Sequence, residues 1–261
     1  KSSRIKAKKL RGVFSMGLLI HPEPHWTLGQ DVATELGVTK YEPPEPLTMS
    51  SDAEKAPDCH MPIYDIDGLR RFPNILQTSE EVIISEKLDG SNARFIYHQN
   101  RLWVGSHRLF RKQNADNLWW KVAIKYNLEK KLSLFPDICI YGEVYGNRVQ
   151  KLEYGAKQNE LFFSVFDVYD TNIKTFFDYD NAVEFVNKLN ENQEMKIQMV
   201  PILYRGKWDN SLYSLADGKT TIGGGHIKEG FVVKPAVEKW NEEIGRVILK
   251  YPSEGYLLSK K

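Results

Sequence analysis

The chain has 261 residues, 41% hydrophobic and 27% charged, with a formal net charge of +2. That length accommodates one large domain or two small ones, and no apolar run approaches the roughly 18 residues of a membrane span. Two cysteines are too few for a disulfide framework or a four-cysteine zinc site, so Cys59 and Cys139 read as free thiols in a reducing, intracellular setting, cytoplasm or nucleus.

Residues 4–20 read as strand or hairpin. No signal-peptide pattern opens the chain, and its start on Lys1 rather than Met leads us to expect further residues upstream. Prolines 22, 24, 43, 44, 46, 57 and 62 exclude long regular elements from 21–62, which reads as a surface wrap or linker. Strand signals then become dense. "EVIIS", "ARFIYH" and "RLWVGS" are short, β-branched and aromatic, with "HQN" (98–100) as a hairpin turn. Residues 116–132 place Leu118, Trp119, Val122, Ala123 and Tyr126 at helical spacing, with Asn114 or Asp116 as the N-cap. "DICIYGEVYG" and "LFFSVFDVYD" read as buried strands and "DNAVEFVNKLNEN" as a helix. "KIQMVPIL", "EGFVVKP" and "IGRVILKY" read as closing strands. The pattern is α+β, mainly antiparallel sheet flanked by a few helices.

Basic residues cluster in two places, six within Lys1–Arg11 and four within Arg101–Lys112, so a near-neutral total leaves room for a nucleic-acid partner. Other candidates are single residues. Lys87 lies between a hydrophobic strand and an Asp89-Gly90 turn. A lysine is a nucleophile only as the neutral amine, which a desolvated strand edge favours. A solvated lysine before a turn explains it equally. Glu143 lies inside an apolar strand, where a carboxylate is costly unless paired or metal-bound. Strand alternation puts it on one face with Tyr141 and Tyr145. Phe166 reads as a core aromatic or as a ring stacking on a base. Glu229 and Lys234 bracket "EGFVVK", and Arg246, Ile248 and Lys250 share a face of "GRVILKY". Both stretches suit edge strands with surface charges.

The order of these segments carries more than any one of them. Lys87-x-Asp89-Gly90, then Gly142-Glu143, Phe166-Asp167, Glu229-Gly230 with Lys234, and a basic strand ending at Lys250 resembles the covalent nucleotidyltransferase superfamily of ATP-dependent ligases and mRNA capping enzymes. Asn92, five residues after Lys87, resembles RNA ligases, where DNA ligases and capping enzymes carry arginine. Ser106 and Arg108 of "GSHRLFRK" stand where RNA ligases place a phosphate-contacting arginine. The nearest resemblance is to the nick-sealing RNA ligases of the Naegleria and Deinococcus type.

The resemblance implies an ATP-grasp-like nucleotidyltransferase domain of the DNA/RNA ligase fold over 63–261. It also implies a linker at 21–62 and the trailing part of an N-terminal OB domain, or its junction, at 1–20. It implies ATP and Mn2+ or Mg2+, nicked duplex RNA or an RNA-containing duplex as partner, no membrane, and a monomer. Lys87 would carry AMP. Asp89, Glu143 and Glu229 would hold the metal directly or through waters. Lys250, Lys234 and Arg108 would hold phosphates. Phe166 would stack on adenine, Glu86 read its amine, and Asn92 contact the α-phosphate or metal-bound waters. The chain departs from the family's last motif, where Ile248 replaces one of two lysines; either Arg246 substitutes or the register differs. A DNA ligase, a capping-type enzyme and a non-catalytic nucleic-acid-binding module are the competing readings.

Overall fold

The computed structural model describes residues 8–10, 13–15, 19–30, 32–38 and 52–259. The chain divides into two units, Lys1–Ser51 and Asp52–Lys261. In the first, Lys8–Leu10 pairs antiparallel with Val13–Ser15, a hairpin within the stretch expected to form one, and short turns follow. Within 21–62, the described residues 21–30 and 32–38 are turns and irregular chain, while 31 and 39–51 lie outside the described residues, as do 1–7, 11–12 and 16–18 of the first stretch. Ala53–Glu54 is not linker, because it pairs with Phe110–Arg111 at the edge of a sheet.

The second unit is built on two sheets. Its main strands are β1 (Glu81–Lys87), β2 (Ser91–His98), β3 (Arg101–Ser106), β4 (Ile138–Gly146), β5 (Leu161–Asp170), β6 (Ile202–Lys207), β7 (Gly230–Pro235) and β8 (Leu249–Pro252). Its helices are α1 (Leu118–Lys125), α2 (Leu128–Leu132), α3 (Tyr179–Leu189) and α4 (Glu254–Ser259). The larger sheet runs β5-β4-β2-β3 at its centre and the smaller runs β6-β1-β7-β8. All these neighbours are antiparallel, as the α+β reading requires.

Period-two alternation decides which side chains meet. On one face of the larger sheet, Phe95, Ile140, Val144 and Phe163 pack under Trp120, Val122, Leu128, Leu132 and Phe185 of the three helices. In the smaller sheet, Ile84, Phe231, Val233 and Leu249 pack with Trp208. Between the sheets lie Tyr64, Ile96, Cys139, Tyr141, Tyr169 and Ile248. This inter-sheet layer holds the site.

Three elements depart from the sequence reading. The helix expected over 116–132 is two helices, because Asn127 adopts a left-handed conformation (φ 51°) between α1 and α2. The cap is Asn117, neither Asn114 nor Asp116; its Oδ1 accepts from the Trp119 and Trp120 amides at 3.0 and 3.3 Å. "KIQMVPIL" is split between sheets, Gln198–Met199 running parallel to β5 and Ile202 onward joining β1. Pro201, which has no amide to give a ladder, lies at the crossing. "IGRVILKY" also divides. Gly245–Arg246 pairs with Trp240–Asn241, and only Leu249 onward pairs with β7.

Candidate active site

The stretch from Lys87 to Asn92 is a second crossing between the sheets. Lys87, the last residue of β1, lies opposite Gly230 in the smaller sheet. Asn92, near the start of β2, lies opposite Glu143 in the larger one. The chain bends at Leu88-Asp89-Gly90, so the lysine and Glu143 are delivered to one place from two sheets.

Two glycines permit this approach. A Cβ on Gly90 would lie 2.3 Å from the Val144 carbonyl oxygen and 2.8 Å from Glu143 Cγ. A Cβ on Gly230, whose φ is +146°, would lie 2.1 Å from the Tyr251 carbonyl oxygen. Each acidic residue of a "DG" or "EG" pair is therefore held by backbone packing that only its glycine tolerates.

A cavity of about 340 Å³ opens between the sheets, within the range of small-ligand sites. Alternating residues of three strands line its floor: Ile83, Ser85 and Lys87; Val232 and Lys234; Ile248 and Lys250. Glu143, Asn92 and Phe166 line it from the larger sheet. Phe166 is the extra residue of a β-bulge, where the β5–β4 register shifts between Val165 and Asp167. A bulge re-aims a side chain. Here the ring faces the cavity beside Tyr64, with centroids 4.6 Å apart.

At one end of the cavity, Lys87 Nζ is 3.0 Å from Glu229 Oε1. Burial pushes the Glu143 carboxyl up to about 8; the Lys87 charge opposes this, while Glu229 and Asp89 reinforce it. Asn92 Oδ1 is buried with no hydrogen-bond partner among the described residues. Asp89 lies behind this end, accepting from the Tyr256 hydroxyl at 2.7 Å. Among the described residues, no three His, Cys, Asp or Glu side chains converge closely enough to hold a metal by themselves.

At the other end, Lys234 Nζ contacts Asp167 Oδ1 at 2.6 Å and Glu238 Oε1 at 3.3 Å. Arg246 contacts the same two carboxylates at 2.7 and 2.6 Å. The Tyr64 hydroxyl also donates to Asp167. Burial alone would raise the Asp167 carboxyl, but Arg246 and Lys234 hold it below its ordinary value.

Several sequence expectations change here. Arg246 does not line the cavity; it closes this ion network and stacks on Phe176 at 3.6 Å, so Ile248 occupies the cavity position in register with Lys250. Lys234 lines the cavity with its charge engaged by two acids rather than open to a phosphate. The Glu86 carboxylate accepts from both Thr220 and Thr221 hydroxyls and from the Thr221 amide. That uses three of about four acceptor positions and fastens a loop, at a residue that also lines the cavity. Arg108 is half exposed and outside the cavity lining, 4.0 Å from Asp65. Its neighbour His107 lines the cavity instead, 3.0 Å from Asp65. Sequence reasoning missed His107, Asp65, Tyr64 and Tyr179. The only signal was the proximity of His107 to Ser106 and Arg108, since the other three come from loops and a helix end.

Two mainly antiparallel sheets around a small-ligand-sized cavity with a lysine at its end match the nucleotidyltransferase fold of solved RNA ligases. The chain belongs to the RNA ligase family, whose model matches residues 80–252. Among solved structures it is similar to a Naegleria gruberi RNA ligase mutant with ATP and Mn, at 24% identity and a TM-score of 0.70 over 97% of this chain and 75% of that one. It is also similar to a mutant of that ligase with AMP and Mn (23%, TM-score 0.70, 98% and 76%) and to the ligase with PPi (24%, TM-score 0.67, 98% and 76%). At these identities the likeness establishes the fold. No curated protein sequence matches.

Proposed function

We propose that this chain is an ATP-dependent RNA ligase that seals 3′-OH/5′-phosphate nicks through a lysyl-AMP intermediate on Lys87. The observation that carries the reading is Lys87 Nζ at the end of an inter-sheet cavity, 3.0 Å from Glu229, with Phe166, Asn92 and Lys250 lining the same cavity. The solved ligases with ATP, AMP and PPi support it, because those are the substrate, the transferred group and the leaving group of such a step.

The neutral Lys87 amine attacks the α-phosphorus of ATP. An N–P bond forms, the P–O bond to pyrophosphate breaks, and pyrophosphate leaves with the electron pair. The amine's protons pass to neighbouring carboxylate or solvent. The 5′-phosphate of the nick then attacks the same phosphorus and releases Lys87. Attack by the 3′-OH on the activated 5′-phosphate finally expels AMP and joins the strand. Phe166 orients adenine, and Lys250 and Asn92 face the phosphates.

Mg2+ or Mn2+ is implied. The site fits a hydrated hard cation better than a bare one: its donors are carboxylate oxygens, the enclosed Glu143 favours a compensating positive charge, and no three acids converge among the described residues. Glu143 and Glu229 would hold it, and it would supply charge neutralisation at the non-bridging phosphate oxygens.

The partner is nicked duplex RNA or an RNA-containing duplex, gripped by phosphate contacts that salt weakens. The test is incubation with α-labelled ATP and Mg2+ or Mn2+, followed by a chase with nicked duplex RNA. The reading predicts a protein-bound label that moves to the 5′-phosphate and disappears as the strand seals. Label from GTP but not ATP would point to a capping-type enzyme, and sealing of DNA nicks alone to a DNA ligase.

A further inference from the structure

The last described residues reach back to the nucleophile. Tyr256, on α4, is 167 residues from Asp89, and its hydroxyl donates to Asp89 Oδ1 at 2.7 Å. The Asp89 amide in turn donates to the Tyr154 hydroxyl at 2.6 Å. Two tyrosine hydroxyls therefore grip one residue of the Lys87–Asn92 crossing, that of Tyr256 at the Asp89 carboxylate and that of Tyr154 at the Asp89 amide.

The same segment grips the other acid. Ser253 N–H donates to the Glu229 carbonyl at 2.8 Å, and Ser253 Oγ donates to the Lys228 carbonyl at 2.9 Å. Ser253 Oγ also accepts from the Tyr256 amide at 3.2 Å, capping α4. Gly230 lies so close to residues 251–253 that a Cβ there would fall 2.7 Å from Pro252 Cα and 3.0 Å from Ser253 N. Ser253 and Tyr256 thus tie together Glu229, the ion-pair partner of Lys87, and Asp89, two residues beyond Lys87.

Besides these contacts, the helix carries an exposed ion pair between Glu254 and Arg70, 3.8 Å apart. It runs six residues, well below the length at which an isolated helix is stable in water. Leu257 and Leu258 point to solvent, 43% and 64% exposed, while Tyr256 is 2% exposed. Burial and the Asp89 contact both push the Tyr256 phenol up, so the hydroxyl remains a donor.

We propose that Tyr256 is a positioning residue for the nucleophile: α4 acts as a clamp that holds Asp89 and Glu229 at fixed spacing and so aims Lys87 Nζ. This rests on the reading of Lys87 as the nucleophile. Tyr256 touches no reacting atom, and neither Asp89 nor Tyr256 lines the cavity. Its loss should therefore slow the chemical step without weakening nucleotide binding.

The test is Tyr256→Phe, which keeps the buried ring and removes only the hydrogen bond. At saturating ATP, adenylate formation should fall about tenfold, the scale of one charge-assisted hydrogen bond, with the KM for ATP unchanged. Tyr256→Phe and Asp89→Ala should be strongly non-additive, because each removes the same contact. Hydrogen–deuterium exchange reads the clamp without catalysis. Peptides covering 87–92 should exchange faster in Tyr256→Phe while β4 and β5 stay protected.

Adduct formation by the wild type with a Tyr256→Phe rate equal to it would overturn the clamp, as would a rate loss that only tracks a lower Tm. Absence of any wild-type adduct would instead overturn the nucleophile reading. The exchange comparison then still decides whether the clamp exists.

Discussion

The two ends of the cavity contain the same kinds of residue and differ in how far their charges are matched. At the Asp167 end, two cations meet two carboxylates, with a tyrosine hydroxyl as a further donor, and almost nothing is open to water. At the Lys87 end, one lysine faces Glu229 and an enclosed Glu143, and Asn92 Oδ1 has no partner among the described residues. A closed network resists change because removing any member leaves another buried charge bare. An open set has capacity left for a substrate and its counter-ion. Cations of similar sequence context, Lys87, Lys234 and Arg246, are thereby sorted into a reactive end and a structural end.

The largest expected effect is at the open end. Lys87→Met should abolish covalent adenylate formation while leaving Tm within a few degrees, as measured by labelled-ATP transfer and calorimetry. Unfolding of that variant would make Lys87 a structural ion-pair member like Lys234.

At the closed end the effect should fall on stability. Asp167→Ala leaves Lys234 and Arg246 to share Glu238 alone, and breaking a buried pair typically costs about 3–5 kcal/mol. Denaturant unfolding should register this whatever the nucleotide. A cost under about 1 kcal/mol would mean that the network is solvated and the contrast between the ends is wrong.

Phe166 stands between the two. Phe166→Ala should weaken ATP binding by roughly 1–3 kcal/mol, the scale of base–aromatic stacking, measured by titration calorimetry. Unchanged affinity would place the ring with Tyr64 in the core.

The smallest effect is a slope. Glu143 holds its proton to about pH 8 when folded and to its ordinary value of 4.5 when unfolded. Between those values the folded state binds more protons, so its contribution is fully present below about pH 4.5. It is lost as pH rises through 8. Glu143→Gln should flatten the fall in stability over that window, and an unaltered slope in pH-dependent unfolding would show that Glu143 is already ionised.

Much of this arrangement was legible in the sequence, for identifiable reasons. β-branched runs and alternation located the strands, and Lys87, Asn92, Glu143, Phe166 and Lys250 all line the cavity. Alternation also placed Tyr141, Glu143 and Tyr145 on one face. What alternation cannot show is which long side chains meet across sheets. Lys234 read as a phosphate ligand and Arg246 as a stand-in within the last motif; Glu238 lies only four residues from Lys234 without any sign that it pairs, and Asp167 lies 67 residues away. Glu86 read as a base contact because the loop carrying Thr220 and Thr221 is 134 residues away. Asn127 hid the helix break, since an asparagine in helical periodicity gives no sign that it will turn left-handed. The Asp89–Tyr256 contact was invisible for the same reason of distance.

The central claim is that the open end is where covalent chemistry occurs and the closed end is where the fold is held. Peptide mapping of the protein labelled with α-labelled ATP tests it most directly. The account predicts a single AMP adduct, on the peptide containing Lys87. An adduct on Lys234 or Lys250, with Lys87 unmodified, would contradict it.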